Sequence, residues 1–228
     1  IQAFMMLKQE AVRKVLLINA DMLGLKVSPR DRNSYPLIGD GAALTIVEKS
    51  NYDNPVFANV KMDGKGAFAI QIPAGGLAKP CDESTRIDYV DSFGNWRSEE
   101  NLVMKGDEVF MFVQKKVPPM IESLLEFAET SRDEVDYYMF HQPNRFMLRK
   151  LCRKLRIDED KLPMNIVENF GNSSGVTVPL NICFNLADKI RDKALKLCMA
   201  GFGGGLVWSS ILMNVGPLDF CEIIEYPD

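Results

Sequence analysis

Three short segments in the second half of the chain carry the residue types that chemistry needs. The segment 141–144 (HQPN) holds the one histidine of the chain beside two carboxamides, so any imidazole chemistry must pass through His141. The segment 171–175 (GNSSG) places Asn172 just before a predicted helix, and free N–H groups at helix N-termini attract oxyanions. The glycines at 203–205 let a backbone N–H approach a ligand closely. Each segment could therefore contribute to an anion-stabilising site.

Each of these segments also has an ordinary structural explanation, which is the stronger one when the segment is taken alone. A single histidine at a strand end is commonly a satisfied, half-buried residue. Asn172 fits an N-cap or a left-handed turn, and three glycines suit a turn between two strands. These glycines lead into a strand without the GxGxxG spacing, so they do not indicate a dinucleotide site.

Composition excludes several classes of protein. The chain has 228 residues, of which 46% are hydrophobic, and its net charge of −4 does not suit a nucleic-acid-binding protein. No apolar run approaches the length of a membrane span, and the sequence shows no signal-peptide pattern. We expect a cytoplasmic protein with reduced thiols, because the five cysteines are scattered and lack the spacing of a disulfide framework or a zinc site. They are Cys81, Cys152, Cys183, Cys198 and Cys221.

The elements that must position these segments follow from hydrophobic periodicity, which predicts an α/β layered chain. We predict a buried parallel strand over 14–20, because its continuous apolar run suits a strand covered on both faces. The prolines at 118 and 119 should break or kink the long helix that contains them, and Pro143 should occupy the first turn of the next helix. The other predicted strands cover 42–47, 56–62, 135–140, 164–167, 195–199 and 206–214. The predicted helices cover 3–13, 107–130, 143–155 and the stretch from the turn at 170–175 to about residue 192.

The order of the motifs along the chain is more specific than any of them alone. The motifs are 31–32 (DR), 39–42 (GDGA), 106–110 (GDEVF), 141–144 (HQxN), 171–174 (GNSS) and 202–208 (FGGGxxW). This series resembles the β-ketoacyl-acyl-carrier-protein synthase III family of the thiolase superfamily. The resemblance implies a thiolase-like αβαβα layered sandwich, of which this chain holds the end of the first half and the complete C-terminal half. It divides the chain into 1–50 (end of the N-terminal half), 51–105 (connecting loops and a strand) and 106–228 (C-terminal half).

The same resemblance implies which residues are catalytic. The nucleophilic cysteine of the family would lie upstream of Ile1, and none of the five cysteines matches its motif, so this chain alone should be inactive. His141 and Asn172 would stabilise the enolate oxygen of a malonyl thioester. The backbone N–H of Gly204 would form half of an oxyanion hole. No metal site and no permanently bound cofactor are implied.

Further residues match the parts of the family that bind substrate and carrier. Arg32 matches the arginine that stacks on the adenine of coenzyme A, and Asn144 matches a residue of the pantetheine channel. Phe146 and Met111 depart from the family pattern, which often has basic residues there. The residues implied to bind substrate or coenzyme A are Arg32, Asn144, Phe110 and Phe202. Those implied to dock the carrier protein are Arg145, Arg149, Arg153 and Lys154.

The resemblance implies a decarboxylative Claisen condensation of an acyl-CoA primer with malonyl-carrier protein, in fatty acid or related biosynthesis. The expected partners are acyl carrier protein and coenzyme A thioesters, with a homodimer in the parent protein. Two alternatives stay open: an acyltransferase that makes no carbon–carbon bond, and a non-catalytic binding partner of the same fold. Because much of the first-half core should be missing, we also expect the apolar residues at 16–18 and 42–47 to be exposed or covered by a partner chain.

Overall fold

Two main β-sheets organise the chain, which a computed structural model describes over residues 1–51 and 53–225. The strands are Lys14–Asp21 (β1), Gly41–Glu48 (β2), Phe57–Met62 (β3), Ile70–Gln71 (β4), Tyr89–Val90 (β5), Trp96–Arg97 (β6), Val103–Met104 (β7), Tyr137–Phe140 (β8), Leu195–Gly203 (β9) and Val207–Val215 (β10). The α-helices are Gln2–Leu7 (α1), Gly106–Phe127 (α2), Arg145–Leu155 (α3), Ile166–Phe170 (α4) and Thr177–Asp192 (α5). Strands β1 and β2 form one antiparallel sheet, and the larger sheet has the order β3-β10-β9-β8.

The larger sheet is covered by helices on both faces. Alternate residues of β8 point to opposite sides: Tyr138 and Phe140 pack with α2 and α3, whereas Met139 packs with α5. Strands β8 and β9 are parallel, and the other pairs of this sheet are antiparallel. β8 and β9 therefore end at the same edge, which is where His141 follows β8. Strand β3, from the predicted connecting segment 51–105, pairs with β10 in this sheet, and the predicted domain division stays a prediction.

Most predicted elements are confirmed, but several boundaries and types are wrong. The first strand was expected to be parallel and buried, yet β1 pairs antiparallel with β2 and is largely exposed. An apolar run indicates a preference for burial, but in the described part of the chain Leu16, Leu17 and Ile18 are between 45% and 64% exposed. The predicted strand at 164–167 does not form, since helix α4 begins at Ile166, and the first helix ends at Leu7 rather than near residue 13. Pro143 lies before α3 and not in its first turn, because Asn144 caps that helix.

The paired prolines do not interrupt α2, which is helical from Gly106 to Phe127. Pro118 has no N–H to donate, so the carbonyl of Gln114 loses its partner within the helix. The Nζ atom of Lys154, on α3, donates to that carbonyl at 2.7 Å. The buried face that includes Val117 and Ile121 holds the same turn against the core. A tertiary hydrogen bond thus offsets the defect that Pro118 leaves at Gln114, and packing holds the turn; sequence periodicity alone could show neither.

The smaller sheet exposes an apolar face, as the sequence predicted. In the β1–β2 register Leu16 lies opposite Ile46, and Ile18 lies opposite Leu44. All four side chains share one face and are between 44% and 64% exposed. We call these four residues the sheet patch.

Among the described residues, no helix combines the length and hydropathy needed to cross a membrane.

We predict that the sheet patch makes the 228-residue chain bind a hydrophobic fluorescent dye. The double substitution Ile18→Lys with Leu44→Lys should lower dye fluorescence at least about two-fold, because it places two charges on the apolar surface. The free energy of unfolding should change by only about 0.5 kcal/mol, since both positions are exposed. Fluorescence titration and urea unfolding measure the two effects.

Leu148→Lys is the matched control, since it puts the same side chain at a fully buried position. It should destabilise the chain on the order of 4 kcal/mol or more. Dye binding that does not change in the double variant would show that the sheet patch is covered in solution.

Candidate functional site

His141 lies at the edge of the sheet where β8 ends. Its backbone N–H donates to the Ala200 carbonyl at 2.7 Å and thus extends the β8–β9 pairing by one residue. The imidazole Nδ1 atom lies 2.7 Å from Thr177 Oγ1 and 3.1 Å from the Ser174 carbonyl oxygen. The ring of Phe202 packs edge-on against the imidazole, with the ring centroids 5.4 Å apart. The imidazole is therefore fixed through Nδ1, and Nε2 is the ring nitrogen left for a ligand.

The surroundings keep this imidazole neutral at pH 7. Burial lowers the pKa of His141 to about 4, because a charged ring would lose its hydration. The Ser174 carbonyl and the negative charge of Asp21 act in the opposite direction and favour the protonated ring. Asp21 is held at the end of β1, where its Oδ2 accepts from the Gly175 N–H at 3.2 Å.

Asn172 is placed by a close approach of two backbone segments. Its N–H donates to the Leu37 carbonyl at 2.7 Å, and its carbonyl accepts from the Gly39 N–H at 3.2 Å. A Cβ atom on Gly39 would overlap the carbonyl of Phe170, and Gly171 has a φ of 73°, which favours glycine. Glycines at 39 and 171 are thus required by the approach that holds Asn172 in position.

The backbone of Ser174 joins Asn172 to His141. Its N–H donates to Asn172 Oδ1 at 3.0 Å, and its carbonyl faces His141 Nδ1 at 3.1 Å. Because Oδ1 of Asn172 is engaged, the Nδ2 amide group, a donor, is the end of this side chain left for a ligand. The predicted pair, one imidazole and one carboxamide, is therefore brought together through a single residue.

Phe202 and Gly204 belong to the same edge of the sheet. Phe202, near the end of β9, is 7% exposed and contacts the His141 ring. Gly204 lies two residues further, in the exposed turn to β10. A Cβ atom placed on Gly204 would lie 3.9 Å from Ile70. The roles of both residues in binding and oxyanion stabilisation stay predictions.

Arg32 lies in a second polar region, built around the short β5–β6 hairpin. Its backbone N–H donates to Asn95 Oδ1 at 3.2 Å, and its guanidinium donates to the Phe93 carbonyl at 3.4 Å. The preceding residue, Asp31, is fully buried and pairs with Arg97 at 3.2 Å, and Arg97 also pairs with Asp91. This buried ion network fixes the loop so that the exposed Arg32 side chain is carried at the surface.

The two remaining predicted binding residues both have structural partners. Asn144 is the N-cap of α3, since its Oδ1 accepts from the Met147 N–H at 2.8 Å. Phe110, on α2, stacks on Phe146, with ring centroids 5.7 Å apart and an interplanar angle of 25°. Phe146 is 63% exposed, so this stacked pair forms part of the surface beside α3.

The four basic residues predicted to dock a carrier are all exposed on α3, but two of them have partners within the chain. Arg145 pairs with Glu168 at 2.7 Å, and Lys154 donates to the Gln114 carbonyl. Arg149 and Arg153 are exposed on the same helix. The docking role of this surface stays a prediction.

The sequence analysis assigned no role to three residues that shape the site: Ser174, which lies within the motif at 171–174, and Thr177 and Asp21, which it did not single out. Thr177 was hidden by its position in the first turn of a helix, where threonine is unremarkable. Asp21 is distant in sequence, so only the packing of β1 beside 174–176 brings its charge near His141. Among the described residues, no group of three or more histidine, cysteine, aspartate or glutamate side chains is arranged to hold a metal ion.

Comparisons with known proteins agree with the order of the motifs. The profile of the 3-oxoacyl-[acyl-carrier-protein] synthase III C-terminal domain matches residues 125–215, and the profile of the preceding 3-oxoacyl-[acyl-carrier-protein] synthase III domain matches residues 1–66. Together the two profiles cover more than half of the chain.

Relatives and solved structures extend the match over nearly the whole chain. A β-ketoacyl-[acyl-carrier-protein] synthase III of Prochlorococcus marinus (strain MIT 9215) is 31% identical over 215 residues, which cover 92% of this chain and 61% of that protein. The crystal structure of a 3-oxoacyl-(acyl-carrier protein) synthase from Burkholderia xenovorans LB400 is similar with a TM-score of 0.88 and 35% identity, covering 99% of this chain and 64% of that one. A 3-oxoacyl-(acyl-carrier-protein) synthase III structure gives a TM-score of 0.85 and 32% identity, covering 93% and 64%.

These matches confirm the α/β, thiolase-like layered fold. The chain spans about 60% of the length of the curated relatives that it matches. The fold, the motif order and both profiles agree on one assignment: the chain belongs to the 3-oxoacyl-[acyl-carrier-protein] synthase III family.

Proposed function

We propose that the full-length protein containing this chain is a condensing acyltransferase that joins an acyl-CoA primer to a malonyl group on acyl carrier protein, with loss of CO₂. The observation that carries the proposal is the joining of His141 and Asn172 through Ser174. Similarity to proteins named β-ketoacyl- or 3-oxoacyl-[acyl-carrier-protein] synthase III supports the proposal. Fatty acid or related biosynthesis is the process in which such a product is used.

Asn172 contributes a fixed hydrogen-bond donor. When the malonyl thioester loses CO₂, negative charge develops on the thioester oxygen, and a donor that is already in place stabilises it without reorganisation. The engagement of Oδ1 by the Ser174 N–H directs the Nδ2 amide group toward such an oxygen. The carboxamide cannot flip without breaking that hydrogen bond.

His141 contributes through Nε2 in a pocket partly walled by an aromatic ring. A neutral imidazole can take up a proton or, with its ring proton on Nε2, donate to the same thioester oxygen. The Phe202 ring limits water around it, and electrostatic interactions are stronger where water is excluded. The proposed reaction also needs a nucleophilic cysteine to form the acyl-enzyme, and none of the five cysteines of this chain matches the family motif.

The surrounding surfaces suit the rest of the substrate. Arg32, at the surface loop, is proposed to contact the adenine of coenzyme A, with Asn144, Phe110 and Phe202 along the path to His141. The α3 surface of Arg145, Arg149, Arg153 and Lys154 is proposed to meet the acidic carrier protein, which a basic face on an otherwise acidic chain would attract. A homodimer and a cytoplasmic location belong to this proposal too.

We predict that Asn172→Ala and His141→Ala each lower the rate of malonyl-carrier decarboxylation by the full-length protein about 100-fold or more, because each removes a group positioned for the developing charge. Release of labelled CO₂ measures this rate, and the mass of the product shows whether two carbons have been added.

Asn169→Ala is the matched control for Asn172→Ala. Asn169 is exposed, and its amide donates to the Asn165 carbonyl, so its loss should leave the rate unchanged. Rates near wild type in both site variants would refute the proposal. A product without the added carbons would instead identify an acyltransferase, and no turnover with a folded protein would indicate a binding partner.

We also predict that His141 makes the stability of the chain sensitive to acid. The unfolded chain takes up a proton on His141 near pH 6.5, whereas the folded chain does so only near pH 4. The contribution is therefore complete above about pH 6.5 and is lost as the pH falls toward 4, by on the order of 3 kcal/mol. Urea unfolding of wild type and of His141→Gln across this range isolates the effect. Parallel pH curves for the two proteins would contradict the prediction.

A further inference from the structure

Thr177 is the centre of a buried cluster of hydrogen-bonding groups behind His141. Its side chain is completely buried. Its Oγ1 atom lies 2.7 Å from His141 Nδ1 and 2.8 Å from the Ser174 carbonyl oxygen. The same oxygen accepts from the Gln142 backbone N–H at 3.2 Å. Three polar neighbours thus share one hydroxyl group that water does not reach.

Only one placement of hydrogens satisfies this cluster. A hydroxyl has one hydrogen and two lone pairs, and a carbonyl oxygen can only accept. If the Thr177 hydroxyl donates to the Ser174 carbonyl, one lone pair accepts from Gln142 and the other is free for His141. The imidazole must then carry its proton on Nδ1.

The opposite placement is unfavourable at two contacts. If the Thr177 hydroxyl donated to Nδ1, its oxygen would face the Ser174 carbonyl oxygen at 2.8 Å with no hydrogen between them. The bare lone pair of Nδ1 would also face that carbonyl at 3.1 Å. Unsatisfied buried polar contacts of this kind cost free energy that the first placement avoids.

We propose that Thr177 is a positioning residue that holds the ring proton of His141 on Nδ1, so that Nε2 faces the site as a proton acceptor. This inference deepens the proposed function and rests on it only for its chemical consequence. Nε2 can donate to an oxyanion only after it has taken up a proton.

Any acid that reaches Nε2 can transfer a proton to it. That transfer leaves the conjugate base of the acid and an imidazolium, with no change in total charge. The imidazolium then carries N–H groups on both nitrogens, one toward Thr177 and Ser174 and one toward the substrate oxygen. Asp21, from β1, is the charged group that acts on this ring, and it favours the imidazolium, while burial opposes it.

The experiment is ¹⁵N NMR of the 228-residue chain labelled at histidine. Because the chain has one histidine, its two ring nitrogens give the entire ring spectrum, and His141→Gln should abolish it. At pH 7 we expect a protonated, pyrrole-type Nδ1 and an unprotonated, pyridine-type Nε2. In Thr177→Val, which keeps the shape but lacks the hydroxyl, the population protonated on Nε2 should rise several-fold. Thr177→Ser should restore the wild-type spectrum.

Three results would overturn the proposal: a wild-type ring protonated mainly on Nε2, a Thr177→Val spectrum identical to wild type, or a Thr177→Ser spectrum that differs from wild type as the valine variant does. If Thr177→Val does not fold, the wild-type and serine spectra still decide the question. The readout needs no turnover, so the tautomer and the proposed reaction can fail separately.

Discussion

The backbone of Ser174 is the constraint on which the site depends. Its N–H fixes the orientation of the Asn172 carboxamide, and its carbonyl takes part in holding the His141 ring. A single backbone segment therefore sets the relative position of two side chains that are far apart in sequence. Backbone groups are suited to this task, because substitution of the Ser174 side chain would leave both contacts chemically possible.

Two further features keep that segment in place. The close approach of Gly39 and Gly171 ties the loop before β2 to the loop that carries Asn172. The parallel register of β8 and β9 brings His141 to the same sheet edge as Phe202. The site thus joins the smaller sheet to the larger one, and its geometry depends on both.

The sequence predicted the parts of the molecule that follow from local pattern, and it missed those that depend on tertiary contacts. The apolar periodicity of α2 and the strands predicted at 195–199 and 206–214 were sufficient to place α2, β9 and β10, although β9 extends to Gly203. The direction of β1 was not predictable, because an apolar run does not specify its strand partner. Likewise, Pro118 was expected to disturb its helix, and the compensating contact comes from Lys154, which is forty residues from its acceptor Gln114. Motif order singled out His141 and Asn172, whereas the role of Thr177 follows only from its contacts in the folded chain.

The contact between Lys154 and α2 has a consequence for anything that binds the basic face of α3. The ammonium group of Lys154 already donates to the backbone carbonyl of Gln114, which Pro118 leaves without a helical donor. A phosphate or carboxylate that drew this ammonium away would return an unpaired acceptor to the helix. Binding of an anion at Lys154 and the stability of α2 are therefore thermodynamically linked. Each would weaken the other to the extent that the anion and the Gln114 carbonyl compete for the same ammonium group.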